Sequence, residues 1–193
     1  GDHTITPSAA ASTYGYRFSY STGTLTVDAK ALTIGGITAS NKTYNGNTTA
    51  TIDVSAATFT GLVDGDDVTV SASGTFDNKN VGTGKTVALV ETNAGDDVGN
   101  YSITDQGTTT ANITAKALTI TADDKSKTYG EANPALTFTV AEDITGLAAV
   151  SGSVATTATA TTNVGSVAIT QGTVTNANNT NYDITFTEGT LTI

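Results

Sequence analysis

Three carboxylates and a glycine fall within four residues at Asp64-Gly65-Asp66-Asp67, and oxygen ligands carried on a flexible loop are what calcium selects. The same four residues also read as an Asp-Gly hairpin turn. No EF-hand spacing and no Gly-Gly-x-Gly-x-Asp repeat accompanies them. Asp64, Asp66 and Asp67 are therefore the calcium candidates, and no other cofactor is expected. Asp96-Asp97 and Asp123-Asp124 are further acidic pairs. Adjacent residues on a strand point to opposite faces, the wrong geometry for a paired general acid and base. His3 is the single histidine and sits at the ragged start, so a Ser/His/Asp triad would have to rest on a loop end. The sequence predicts no catalytic residue and no enzyme.

Four tyrosines, Tyr44, Tyr101, Tyr129 and Tyr182, recur beside turn residues. A carbohydrate binder would need exposed aromatic faces, and the chain has no tryptophan. A repeating tyrosine next to a turn reads instead as a corner residue, its ring in the core and its hydroxyl tying down a loop. Lys30 and Lys116 occupy matching places. A Lys-Asn isopeptide staple needs a partner amide and an acid that nothing in the sequence singles out, so both are read as solvated strand-end lysines.

What positions these residues is a repeat. Lys30-Ala31-Leu32-Thr33-Ile34 returns as Lys116-Ala117-Leu118-Thr119-Ile120, and the landmarks behind each copy keep their order. Lys42-Thr43-Tyr44, Asn80-Val81-Gly82 and Asn100-Tyr101 match Lys127-Thr128-Tyr129, Asn163-Val164-Gly165 and Asn181-Tyr182. The offsets drift slowly (116−30 = 86, 127−42 = 85, 163−80 = 83, 181−100 = 81), as in two diverged copies of one module. The copies span residues 29–115 and 116–193. Residues 1–28 read as the C-terminal strands of a preceding copy, the alternative being a complete cap with its own contacts. Tyr16 to Leu25 is the same distance as Tyr182 to Leu191 (25−16 = 191−182 = 9), and three strands are expected there with exposed edges.

The elements are β-strands. Thr makes up about a fifth of the 193 residues, with 20 Gly and no Cys, Met or Trp, a composition suited to pleated, half-buried surfaces and tight turns. Short alternating runs such as Val68–Ser71, Lys85–Val90, Tyr101–Thr104, Val164–Thr170 and Tyr182–Phe186 recur between Gly, Asn and Asp. Leu32, Ile34, Val87, Leu118, Ile120 and Ile169 are the expected core. Ala141–Val150 lacks the pattern and reads as a loop or short helical turn. The fold class expected is all-β: tandem immunoglobulin-like β-sandwich modules, end to end in an extended rod, because Val27-Asp28-Ala29-Lys30 and Ile113-Thr114-Ala115-Lys116 leave no flexible spacer.

A net charge of −10 disfavours phosphate backbones and anionic membranes, so nucleic-acid partners and membrane insertion are not expected. No apolar run approaches the length of a bilayer span. Gly1-Asp2-His3 does not begin a secretion signal, so the chain is expected to be a fragment or mature segment.

Lys42-Thr43-Tyr44-Asn45-Gly46, Gly61-Leu62-Val63-Asp64-Gly65-Asp66-Asp67-Val68 and Gly74-Thr75-Phe76-Asp77-Asn78-Lys79-Asn80-Val81-Gly82 resemble the YDG domain of bacterial surface proteins. Asn45 stands where that family usually has Asp. Lys127-Thr128-Tyr129-Gly130-Glu131-Ala132-Asn133-Pro134, Gly152-Ser153-Val154-Ala155-Thr156 and Gly189-Thr190-Leu191-Thr192-Ile193 resemble its companion, the MBG domain, a mostly bacterial immunoglobulin-like module. The resemblance implies a segment of a large adhesin or filamentous-haemagglutinin-like exoprotein at the cell surface or secreted. Its expected partners are neighbouring modules of the same long chain and a host or sister-cell surface ligand. A stalk that spaces a distal binding region from the cell is the role implied. The alternative is weak, multivalent binding of a glycan or protein by the modules themselves, with or without calcium.

Overall fold

The computed structural model describes residues 1–8 and 10–193. It is an all-β chain in which the only helical turns among the described residues are single 3-10 turns at Val98–Asn100 and Asn176–Asn178. The leading segment holds β1 (Asp2–Ile5) and β2 (Gly23–Thr26). The first module holds β3 (Lys30–Gly35), β4 (Thr38–Ala39), β5 (Lys42–Thr43), β6 (Thr49–Ala50), β7 (Ile52–Asp53) and β8 (Thr58–Thr60). It continues with β9 (Thr69–Phe76), β10 (Gly82–Ala94), β11 (Tyr101–Thr104) and β12 (Thr108–Thr114). The second module holds β13 (Lys116–Ala122), β14 (Lys125–Ser126), β15 (Phe138–Val140), β16 (Ala155–Thr156), β17 (Ser166–Thr170), β18 (Tyr182–Thr187) and β19 (Gly189–Thr192).

The repeat in sequence is a repeat in topology. In the first module β3 lies between β11 and β8, and a second sheet runs β5-β12-β10-β9-β6. In the second module β13 lies between β18 and β15, and the other sheet runs β14-β19-β17-β16. Both modules pair their first strand in parallel with a late one at the same register, Lys30 opposite Tyr101 and Lys116 opposite Tyr182. Both also pair a short early strand in parallel with their last, β5 on β12 and β14 on β19.

Alternation decides which face is wet. In β9 the exposed residues are Thr69, Ser71, Ser73 and Thr75, whereas Phe76 is buried; in β10 Lys85, Val87 and Leu89 face inward. Period-two burial is what a sheet with one solvated face requires. Leu32, Ile34, Val87, Leu118, Ile120 and Ile169 are each at most 2% exposed, as the sequence predicts. One core joins Ile34, Ile37, Phe76, Val87 and Ile113, and another joins Ile120, Val154, Ile169, Val174 and Leu191.

Ala141–Val150 forms no regular element, as expected. The leading segment departs from expectation. Tyr16–Tyr20 is not a strand, leaving two strands there instead of three. Its counterpart β18 is held by parallel pairing to β13, and no strand among the described residues offers Tyr16–Tyr20 that partner. Backbone donors and acceptors without a ladder gain nothing from extension.

Candidate functional site at the joint between modules

β12 passes into β13 through the single residue Ala115, and side chains from both modules close over that crossing. The ring of Tyr44, just past β5, meets the ring of Tyr182, at the start of β18, edge to face at 5.6 Å between centroids and 88°. This is the favoured geometry for an aromatic pair. Both tyrosines are buried, and both belong, with Leu118, to the core of the first module. Asn181, the residue before Tyr182, adds a polar clamp. Its Oδ1 accepts the Val81 N–H at 2.9 Å, and its Nδ2 donates to Asn80 Oδ1 at 3.1 Å.

The loop Ala141–Val150 supplies the rest of the joint. Glu142 accepts the Thr119 N–H at 2.6 Å, Ala141 N donates to Thr119 O, and the Tyr182 hydroxyl donates to Ala148 O. The Thr119 N–H also holds the Glu142 carboxyl below the usual carboxylate range. Pinned in this way, the loop packs Ile144, Leu147 and Val150 against the core of the first module. Gly46 marks the closest approach. Its φ is +78°, and a Cβ there would lie 2.9 Å from Leu147 Cδ2, so glycine serves both the left-handed turn and the contact.

The four repeated tyrosines divide. Tyr44, Tyr101 and Tyr182 are buried, whereas Tyr129 is 55% exposed. Tyr129 does not take the core role expected of it. Equivalent lysines just before Tyr44 and Tyr129 hold equivalent loops: Lys42 Nζ donates to Asn47 O and Thr49 O, and Lys127 Nζ to Glu131 O and Thr159 O. The two positions thus match locally, but Tyr44 is covered by Tyr182 of the next module. Tyr101 acts as a corner, its hydroxyl donating to Asp66 and accepting the Val63 N–H at 3.0 Å. Burial first, then the bond to Asp66, push its phenol above the ordinary value.

The calcium candidates lie on a turn closed by Asp66 N on Val63 O. Asp66 receives the Tyr101 hydroxyl. The Asp67 carboxylate receives the Asp96 N–H at 3.4 Å, and Asp67 N donates to Asp97 Oδ2 at 2.9 Å. Asp64, Asp66 and Asp67 are thus not drawn to one point. Among the described residues no three His, Asp or Glu side chains are grouped to hold a metal ion. The acidic pairs instead pin two loops together. Gly95 shows how tightly, because at its φ of +118° a Cβ would meet Asp67 O at 2.2 Å.

Lys30 is exposed and Lys116 half-buried, each opening its strand. Lys42 and Lys85 are the lysines that meet a side-chain amide, Lys42 at Asn47 Oδ1 (3.0 Å) and Lys85, which is buried, at Asn78. The Lys85 Nζ lies 2.8 Å from Asp77 Oδ1 and 2.8 Å from Asn78 Oδ1. The Lys85 bond holds the Asp77 carboxyl below its usual range. His3 lines a cleft of about 390 Å³ with Gly1, Asp28, Lys30, Asp66 and Tyr101, between the leading segment and the first module. In the sequence Asn80-Val81 and Asn181 stand out only as repeat markers. Their recurrence was the available signal, but which copy of one meets which copy of the other is a property of the fold.

Comparison with known families finds two domain models in tandem. Residues 28–111 match the model of the YDG domain, and residues 118–192 match that of the MBG domain (YGX type). No curated protein and no solved structure matches the chain significantly.

Proposed function

From a chain that consists largely of a YDG domain followed by an MBG domain, we propose a structural role: a spacer segment in the stalk of a bacterial surface adhesin. The modules are immunoglobulin-like sandwiches set end to end. The observation that carries this reading is the joint itself, where a one-residue crossing, an aromatic pair and the Asn181 clamp resist bending between domains. Stiffness is the property a spacer needs, since a repeat whose units contact only their neighbours converts chain length into reach. An interface with an apolar centre limits the interdomain motion otherwise expected. On this reading the protein is extracellular, at the cell surface or secreted, and carries no catalytic residue and no cofactor. Its working partners are adjoining modules. The acidic surface keeps neighbouring stalks apart and free of nucleic acid.

Small-angle scattering with and without calcium tests the proposal through the maximum dimension. The expected result is an elongated particle, on the order of two sandwich modules laid end to end, with the same profile in both conditions. A compact particle, or one that stiffens only with calcium, refutes the passive spacer. It would favour modules that bind a surface ligand themselves.

A further inference from the structure

The leading segment repeats half of a module, and among the described residues no further strand joins its two-stranded sheet. In the second module β17 pairs with β19 as Ser166 to Thr192, Val167 to Leu191, Ala168 to Thr190 and Ile169 to Gly189. In the leading segment β1 pairs with β2 as Asp2 to Thr26, His3 to Leu25, Thr4 to Thr24 and Ile5 to Gly23. The registers are the same, and Gly23-Thr24-Leu25-Thr26 is identical to Gly189-Thr190-Leu191-Thr192. Even the closing pair is shared. Gly165 and Ile193 exchange backbone hydrogen bonds at 3.1 and 2.8 Å, and Gly1 and Val27 do so at 2.6 and 3.0 Å.

What differs is cover. Ile169 and Leu191 are fully buried, whereas their counterparts Ile5 and Leu25 are each 52% exposed. In the second module β14 flanks β19 and β16 flanks β17, while β13 carries the strand equivalent to Tyr16–Tyr20. These added strands all come from residues 116–164, and Val174, Ile184 and Phe186 complete the core around Ile169 and Leu191. A two-stranded sheet with two free edges and one apolar face is marginal alone.

We infer that residues 1–28 are an acceptor sheet for the leading half of an MBG module, a segment with the chemistry of residues 116–164. Its strands add to both edges of the β1–β2 hairpin and lay an apolar face over Ile5 and Leu25. The segment also brings its Lys-Ala-Leu-Thr-Ile run beside Tyr16, at the register in which Lys116 meets Tyr182. Its closing Asn-Val pair then arrives beside Asn100 and Tyr101, as Asn80-Val81 arrives beside Asn181 and Tyr182. The cleft at Gly1, Asn100 and Tyr101 is the place this pair fills. The inference goes beyond the spacer reading, because it holds whatever the array displays.

The test fuses residues 116–164 directly ahead of Gly1 in the full 193-residue chain, so that Val164 precedes Gly1 as it precedes Gly165. Amide hydrogen exchange is then read residue by residue in the fused and unfused proteins. The expected result is slowing on the order of a thousandfold in β1 and β2, with new protection at Tyr16–Tyr20. Leu25→Asp in the fusion should release the added segment while leaving the exchange of residues 30–193 as it was. The inference is overturned if the added segment exchanges at unfolded-chain rates, or if its protection survives Leu25→Asp. It is equally overturned if the unfused chain already protects β1 and β2 by forming a concentration-dependent dimer, which would make a second copy the occupant.

Discussion

Replacing Asn181 by Ala isolates the polar half of the joint without touching either apolar core. Two hydrogen bonds disappear, one from the half-buried Val81 N–H and one to the exposed Asn80 side chain. A net intramolecular hydrogen bond contributes about 0.5–1.5 kcal/mol, and a donor left unpaired away from water costs about 1–3 kcal/mol. Val81 retains partial access to water, so the low end applies, and the exposed Asn-Asn bond adds a few tenths. The expected loss is about 1–2 kcal/mol. With a urea slope of about 2 kcal/mol/M, the unfolding midpoint falls by about 0.5–1 M. The assay is urea unfolding of the single variants Asn181→Ala and Asn80→Ala and of the double variant. The cycle should assign about 0.5 kcal/mol or less to the Asn-Asn pair and leave the remainder with the Val81 bond. Breaking the clamp should also separate a single transition into two as the modules uncouple. A midpoint unchanged within about 0.1 M, with the transition still single, would refute the claim that Asn181 couples the modules.

Three further outcomes are expected. Ile169→Ala empties a fully buried site in the second core and should cost about 2–5 kcal/mol, lowering the urea midpoint of the second module first. Tyr101 and Tyr182 have phenols pushed up by burial. Their contribution is whole below the ordinary value of 10.0 and is lost as pH rises above it. The corresponding Phe variants should flatten the alkaline limb of a stability-pH profile. Asp77 is the opposite case, held low by Lys85, so its contribution is present above the ordinary value of 3.8 and lost as pH falls. Asp77→Asn should weaken the acid dependence of unfolding, seen as a shallower stability slope on the acid side.

The strands were legible where alternation and burial coincide. Tyr101–Thr104 is found to the residue, because Tyr101 is buried and Ile103 half-buried between exposed neighbours. Val68–Ser71 begins one residue early and catches only the start of Thr69–Phe76, whose continuation runs through Ala, Ser, Gly and Thr, and Lys85–Val90 lies inside Gly82–Ala94, whose ends are Gly-, Thr- and Asn-rich. The two-residue strands Lys42–Thr43 and Lys125–Ser126 were not legible as strands. They exist only through parallel pairing to the last strand of their module, a long-range contact with no local pattern. The joint was hidden for the same reason. Leu147 and Ile144 sit in the one stretch without periodicity, and what orders them is the core of the other module.

Tyr44 and Tyr129 separate local sequence from context most sharply. Both follow a Lys-Thr step, and both lysines hold the carbonyls of their own loop, yet one ring is 2% exposed and the other 55%. If burial were set within the module, alanine at either position would cost about the same. If the neighbouring module sets it, Tyr44→Ala should cost about 3–5 kcal/mol by leaving a ring-sized cavity against Tyr182. Tyr129→Ala should then fall within about 0.5 kcal/mol of the parent. The Tyr44 hydroxyl is buried with no hydrogen-bond partner among the described residues, so Tyr44→Phe removes an unpaired polar atom and keeps the edge-to-face contact. That variant should be neutral or more stable. Chemical unfolding of the three variants decides between the two accounts, and equal costs at Tyr44 and Tyr129 would overturn the argument that the joint, not the module, buries the repeated tyrosine.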